Sequence, residues 1–462
     1  MSDLESLLSA FGPSAGVPER EWDDFAAALR QFPPPCVRLR PNASEGAKGW
    51  LGDAPAVPWH SRGRLVPVMT RPTRSPFYGA GEWYVQDAGS LLADALLEVA
   101  AGESVLDLCA SPGGKSTAIA ERLGAAGLLV ANEPVSGRLD ALRFNLARHG
   151  SARHVVISAD PEALAERYAA RFDAVLVDAP CSGQSLVVRG KQALSAFGSA
   201  AVELNADRQT RILNAAARLV RHGGRLAYAT CTFAREENED QIAGFLQRHP
   251  GWDLEPRAGF QSYESELLPG TYRLLPHRHP TAGAFAACLR RSEQAGPGED
   301  EATEGSRKSS NRKRSRDKPR PGMTRAAEAE AREALSNFVG IGEVRLVARG
   351  PSVFAFPSDL PDDFDGLMVG GPEALFTKGK TYFPSYALAM RRVDSMQPRS
   401  TIEVDEEDAR RYLRGESFAS TATGWAAVTY QGLALGWCKA DGRQAKNHLP
   451  KPGRLGESEP SA

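Results

Sequence analysis

Phe172-Asp173-Ala174-Val175-Leu176-Val177-Asp178-Ala179-Pro180-Cys181-Ser182-Gly183 runs an apolar segment straight into a turn that carries an acid and a thiol. Residues 174–177 show no polar alternation, the pattern of a strand covered on both faces, and Asp178 and Cys181 then fall just past its C-terminal end. Open α/β sheets carry their chemistry at that edge.

Outward from this stretch, residues 103–291 repeat strand, loop and helix in the rhythm of a doubly wound, mostly parallel sheet. Strands are expected at 104–108, 128–131, 154–157 and 225–229, with further strands near 272–276 and 284–290. The helix through Ile212, Ala216, Leu219 and Val220 is expected to close at Gly223-Gly224 as a C-cap. Upstream, residues 19–31 predict an amphipathic helix with Phe25, Leu29 and Phe32 on one face, stopped by Pro33-Pro34-Pro35. A short strand follows at 36–40, where Arg38 and Arg40 are either solvated face charges or phosphate contacts. Downstream, residues 292–323 hold an acidic block and then a basic one with no apolar residue to anchor them, the composition of a disordered linker. Residues 324–462 resume globular texture, with a helix over 326–338, strands at 344–347 and 353–356, and Lys439, Lys446 and Lys451 near the end.

A length of 462 residues exceeds one ordinary core and implies two or three domains. No run approaches the ~18 apolar residues of a membrane span, and the acidic start lacks the layout of a secretory signal, so a cytoplasmic protein is expected. The formal net charge of -1 argues neither for nor against a nucleic-acid partner. The six cysteines stand singly, without the spacing of a zinc site or a disulfide framework, so no metal is expected and a conspicuous cysteine is either an inert buried residue or a reactive thiol.

The turn Cys109-Ala110-Ser111-Pro112-Gly113-Gly114-Lys115 joins a strand to a helix. A phosphate-binding Walker loop would need glycine where Cys109 stands, and a dinucleotide fingerprint is not supplied. A ligand without pyrophosphate remains, with Glu133 about twenty residues on to hold a ribose diol and Asp160, after the next strand, to meet an adenine amino group. S-adenosylmethionine answers that description. If the strands before Cys181 and Cys231 are neighbours, both thiols face one cleft with Asp178 between them. A thiolate beside such a donor suits methylation of a pyrimidine at C5, a carbon too electron-poor to attack a methyl group until a nucleophile adds at C6.

Asp107 to Lys115, Asp178-Ala179-Pro180-Cys181-Ser182-Gly183 and Tyr228-Ala229-Thr230-Cys231-Thr232 with Glu236-Glu237-Asn238-Glu239 resemble the motifs of the RNA cytosine-C5 methyltransferases. Leu413-Arg414-Gly415-Glu416, Gly436-Trp437 and the run from Lys446 to Lys451 resemble the branch that acts on small-subunit ribosomal RNA. The resemblance implies a Rossmann-like class I methyltransferase core at 86–291, a small α/β RNA-binding domain at 1–85 and an α+β, PUA-like RNA-binding domain at 324–462. It implies S-adenosylmethionine as cofactor, RNA as partner and a monomer. Cys231 then falls where the family has its nucleophile and Cys181 where a second thiol assists product release. Lys115 lies where a lysine can approach the base. Cys109, Ala110, Ser111, Pro112, Gly113, Gly114, Lys115, Glu133, Asp160 and Asp178 fall where the family holds cofactor and target base. Ser111 replaces a usual alanine, and Gln184-Ser185 a usual Glu-Gly. The expected function is 5-methylcytosine formation in small-subunit ribosomal RNA. Two rivals are the same chemistry on transfer RNA and a non-catalytic assembly factor, which would be expected to have lost Cys231. A thiol hydrolase is disfavoured because no histidine is near either cysteine in sequence.

Overall fold

The computed structural model describes residues 15–189, 191–294, 323–392 and 396–455. The expected linker, its ends apart, and the acidic first residues lie outside these. An N-terminal sheet holds β1 (Cys36–Leu39), β2 (Ala56–Val57), β3 (His60–Leu65) and β4 (Trp83–Gln86) in the order β2-β3-β1-β4. The central sheet is built from β5 (Ser104–Asp107), β6 (Leu128–Asn132), β7 (His154–Ile157), β8 (Phe172–Asp178) and β9 (Val220–Thr230), all parallel, in the order β9-β8-β5-β6-β7. β10 (Trp252–Leu254), β11 (Thr271–Leu274) and β12 (Ala284–Arg291) extend it antiparallel beyond β9.

The central strands are apolar at successive positions because both faces are covered. Leu106, Val175, Val177 and Leu226 point into one core, and Val105, Ala174, Leu176 and Ala227 into the other. The chain runs from β5 outward through β6 to β7, then returns to lay β8 and β9 on the opposite side of β5. This reversal opens a crevice at the carboxyl ends of β5 and β8, where such sheets bind ligands.

Two expectations change here. The helix Ser199–Leu219 passes directly into β9 at Val220, so Gly223-Gly224 is no cap. The pair lies where β9 shifts register against β8; Gly223 takes φ +69°, and a Cβ on Gly224 would stand 2.8 Å from the Asp173 carbonyl oxygen, so two glycines let the strand kink back into line. The first helix ends at Ala28, before Phe32 can join Phe25 and Leu29 in the core.

The C-terminal half forms two sheets. β13 (Val344–Arg349), β14 (Ser352–Pro357), β16 (Glu373–Lys378) and β17 (Thr381–Pro384) make an antiparallel meander. Between them β15 (Met368–Gly370) leaves to pair antiparallel with β7, closing the far edge of the central sheet. The last sheet orders β18 (Thr401–Glu403), β20 (Thr423–Tyr430), β21 (Leu433–Asp441), β22 (Gln444–Asn447) and β19 (Phe418–Ala419) as β18-β20-β21-β22-β19. Its residues share a core with the N-terminal sheet, Trp83 and Phe77 packing with Leu413, Val428 and Tyr430. Among the described residues no helix is long and apolar enough to cross a membrane.

Candidate active site

The ends of β5, β8 and β9 converge on a cavity of 610 Å³ whose lining includes Asp107, Lys115, Asp178 and Cys231. β8 and β9 are adjacent, as the two-thiol reading requires, and the sulfurs of Cys181 and Cys231 stand 3.3 Å apart. The Pro-Cys turn is held by its neighbour strand: Ala179 N–H donates to the Ala229 carbonyl at 2.8 Å, and Ser185 N–H to the Cys231 carbonyl at 3.2 Å. Beneath the thiols, Glu237 accepts from Ser182 N–H and Oγ and from Gln209 Nε2, and Ser182 Oγ lies 2.8 Å from Thr232 Oγ1. This buried knot couples the two cysteine-bearing loops, and burial raises the Glu237 pKa in spite of its donors. Gln184 is fully buried, accepting from Phe233 N–H and donating to the Ala196 carbonyl, so its amide braces the loop behind the thiols.

The thiols are not equivalent. Cys231 is held below its ordinary pKa, first by the hydrogen bond it shares with Cys181 and further by the Lys115 ammonium, against burial and Asp178. Cys181 is pushed well above, first by that same bond, then by burial and by the charges of Cys231 and Glu237. The two shifts run in opposite directions, so Cys231 is the more acidic thiol of the pair. Lys115 Nζ pairs with Asp178 Oδ2 at 2.7 Å. Burial opposes the lysine's charge, but Asp178 outweighs it and the Lys115 pKa rises.

The turn after β5 has the shape its residues dictate. Ser111-Pro112 is cis, and Gly113 adopts φ +108°, a conformation that a side chain would strain. The Ser111 and Pro112 carbonyls are fixed by Arg138 at 2.8 Å and Asn145 at 2.8 Å. Cys109 and Ala110 line the cavity beside it; burial pushes the Cys109 thiol up, so it is an inert wall. Asp107, on the cavity wall, accepts from Ser116 at 2.6 Å through one oxygen and leaves the other buried without a partner. Its pKa rises to about 7, burial being the main cause.

Two predicted ligands sit apart from the cavity lining. Glu133, at the end of β6, is buried, accepts from Val135 N–H at 2.9 Å and faces Arg138 at 3.4 Å. Asp160 is exposed and caps the helix Pro161–Arg167 by accepting from Glu162 N–H at 3.0 Å. Arg38 and Arg40 are neither solvated nor offered to phosphate. Arg38 is fully buried, pairing with Glu121 at 3.1 Å and donating to the Gly114 carbonyl at 2.6 Å, and Arg40 donates to the His149 carbonyl at 2.7 Å. Asp107 and Glu237 were within quoted motifs but were not singled out: Asp107's orphan oxygen and Glu237's distant donors exist only once the chain is folded.

Residues 94–290 match the family described as 16S rRNA methyltransferase RsmB/F, and residues 399–455 match the methyltransferase RsmF PUA domain. Over residues 94–290 this chain is similar to the RsmB/F methyltransferases. Among its relatives, ribosomal RNA small subunit methyltransferase F of Klebsiella pneumoniae (strain 342) is 29% identical over 80% of this chain and 78% of that one. The protein of the same name from Aeromonas salmonicida (strain A449) is 29% identical over 87% and 85%. A solved methyltransferase homologue from Pyrococcus horikoshii, 24% identical, superposes with a TM-score of 0.54 over 63% of this chain and 99% of that one, a likeness of fold. The methyltransferase match makes S-adenosylmethionine the methyl donor. The cavity suits it: the unpartnered Asp107 oxygen on its wall can accept from an ammonium group.

Proposed function

We propose that the protein methylates C5 of cytosine in small-subunit ribosomal RNA through a covalent bond between Cys231 and C6 of the base. The observation that carries this reading is the unequal thiol pair, 3.3 Å apart at the ends of adjacent strands, with Lys115 and Asp178 beside it. Cys231, the thiolate, adds to C6, and the ring's electron pair moves toward C5. Asp178 faces the cavity where it can accept from the exocyclic amine, and Lys115, whose charge it balances, stabilises the charge that develops on the ring. S-adenosylmethionine supplies the electrophilic methyl that the activated C5 takes up. Loss of the C5 proton to a base returns the pair to the ring, the C6–sulfur bond breaks and Cys231 departs as thiolate, with Cys181 within hydrogen-bond reach of the leaving sulfur. Residues 109–115 with Asp107 and Asp178 are assigned to the donor, and Glu133, the acid ending the next strand, to its ribose. Asp160, which caps its helix through Oδ1, is assigned to the donor's adenine amino group. The substrate follows from the relatives' names and from the 16S-directed family of residues 94–290.

The two thiols give the test. Cys231→Ala should form no bond to RNA, whereas Cys181→Ala should carry out addition and methyl transfer and stall at release. Incubation with ribosomal RNA and labelled S-adenosylmethionine followed by a denaturing gel should show a shifted, labelled band for Cys181→Ala alone. The reverse pattern overturns the assignment. Bisulfite sequencing of ribosomal RNA from cells with and without the protein tests the target: a cytosine whose protection depends on the protein is expected in the small subunit.

A further inference from the structure

Phe32 is 70% exposed, although the helix pattern would have buried it beside Phe25 and Leu29. It stands on a ridge. With Pro33 and Ala282 it lines both the reaction cavity and a neighbouring hollow of 140 Å³, whose other walls include Leu29, Gln31, Pro276 and His279. The Pro33-Pro34-Pro35 run behind it restricts the backbone, so the ring is presented with little freedom left to lose on binding. Burial, with the charges of Arg278 and His277, lowers the His279 pKa, so charge on that imidazole is disfavoured, and the mostly apolar walls suit an uncharged ring better than a phosphate.

A base that reacts deep in a cavity must leave its stack, which strips its neighbour of a stacking partner. We infer that Phe32 is a positioning residue on which the nucleobase adjacent to the target cytosine stacks, with the hollow behind it as that base's subsite. The inference rests on the proposal that the cavity methylates an RNA base. Its occupant is chosen by continuity: one ring borders both spaces, which also share Pro33 and Ala282 as walls. Stacking on an aromatic ring tolerates any base, so the subsite fixes how the strand enters rather than which sequence it carries.

The test pairs Phe32→Ala and Phe32→Trp with RNAs spanning the modified cytosine, intact or abasic at one flanking position or the other. On intact RNA, Phe32→Ala should raise KM about tenfold or more with kcat changed far less, and Phe32→Trp should restore KM. On the RNA abasic at the stacking position, wild type and Phe32→Ala should have equal KM, because the partner is already gone. Thermal melting of Phe32→Ala within a degree or two of wild type shows that the fold is intact. A KM unchanged on intact RNA, or the same Phe32→Ala penalty on both abasic RNAs, overturns the inference while leaving the proposed reaction standing. Failure of the wild type to transfer methyl to any RNA overturns the reaction itself and this inference with it.

Discussion

Asp107 keeps one carboxylate oxygen without a partner on the wall of the donor cleft. Its pKa is lifted from 3.8 to about 7, so the folded protein binds that proton more tightly than the unfolded chain does. Stability from this group is therefore present at low pH, falls as pH climbs between those two values, and is fully lost above the upper one. Asp107→Asn, which keeps the acceptor for Ser116 without the charge, should stabilise the donor-free protein at pH 8 by more than about 1 kcal/mol, at about 1.4 kcal/mol per pK unit, and change it little at pH 4. Urea denaturation at both pH values checks this; equal effects at the two would show that the charge is not what is costly there. The sequence made Cys181, Cys231, Asp178 and Lys115 legible because each follows or ends a strand whose apolar run is unmistakable. It did not mark Asp107, because an oxygen left without a partner on a cleft wall exists only once the chain is folded.

The helix Gly114–Leu123 is fastened to the N-terminal sheet by a buried charge cluster. Glu121 receives Arg38 at 3.1 Å, Arg62 at 2.5 Å and His149 at 3.1 Å. Burial works against its charge, but the two arginines and the histidine hold its carboxyl well below the usual range. Because Arg38 also grips the Gly114 carbonyl, the cluster sets the start of the helix from which Lys115 projects. Glu121→Gln leaves buried guanidinium charge uncompensated and should cost on the order of 3–5 kcal/mol, with weaker donor binding by calorimetry in the fraction that folds. A loss below about 1 kcal/mol would mean the cluster is not what joins the elements. The strands expected at 104–108, 128–131 and 154–157 lie within a residue of β5, β6 and β7 because parallel strands are apolar on both faces, whereas β9 begins five residues before its expected start and the joints are not legible. Arg38 and Arg40 looked like surface charges since their partners lie some eighty and a hundred residues away. Gly223-Gly224 looked like a cap because a glycine pair after a helix has the same local chemistry as a kink in a strand.

Across the whole molecule, the C-terminal sheet turns a row of positive charge outward. Lys439 and Lys446 stand directly opposite each other on β21 and β22, and Trp425 is the partner of Lys439 on β20. Lys439 lies over the Trp425 ring at 5.9 Å, and Lys378, from the β16–β17 hairpin, over Phe383 at 5.6 Å. The charges of all three lysines act on His448, so two sheets share one basic face. Like charges opposed across a ladder destabilise it, which suits a surface whose counter-charge arrives as RNA phosphate. Replacing Lys439 and Lys446 with alanine should leave the fold as stable or more so, weaken RNA binding and lower the slope of log affinity against log salt by up to about two; an unchanged slope would give the row no phosphate contact. The partnership between halves of the chain also has a schedule. β7 finds its outer neighbour only in β15, so during synthesis its edge stays open while roughly 200 residues emerge, about 10–40 s at ribosomal speed. For the last ~80 residues of that interval, after β12 has emerged, a completed central sheet would still offer a bare strand to any other nascent chain, and a protein cut short after β12 would offer it permanently.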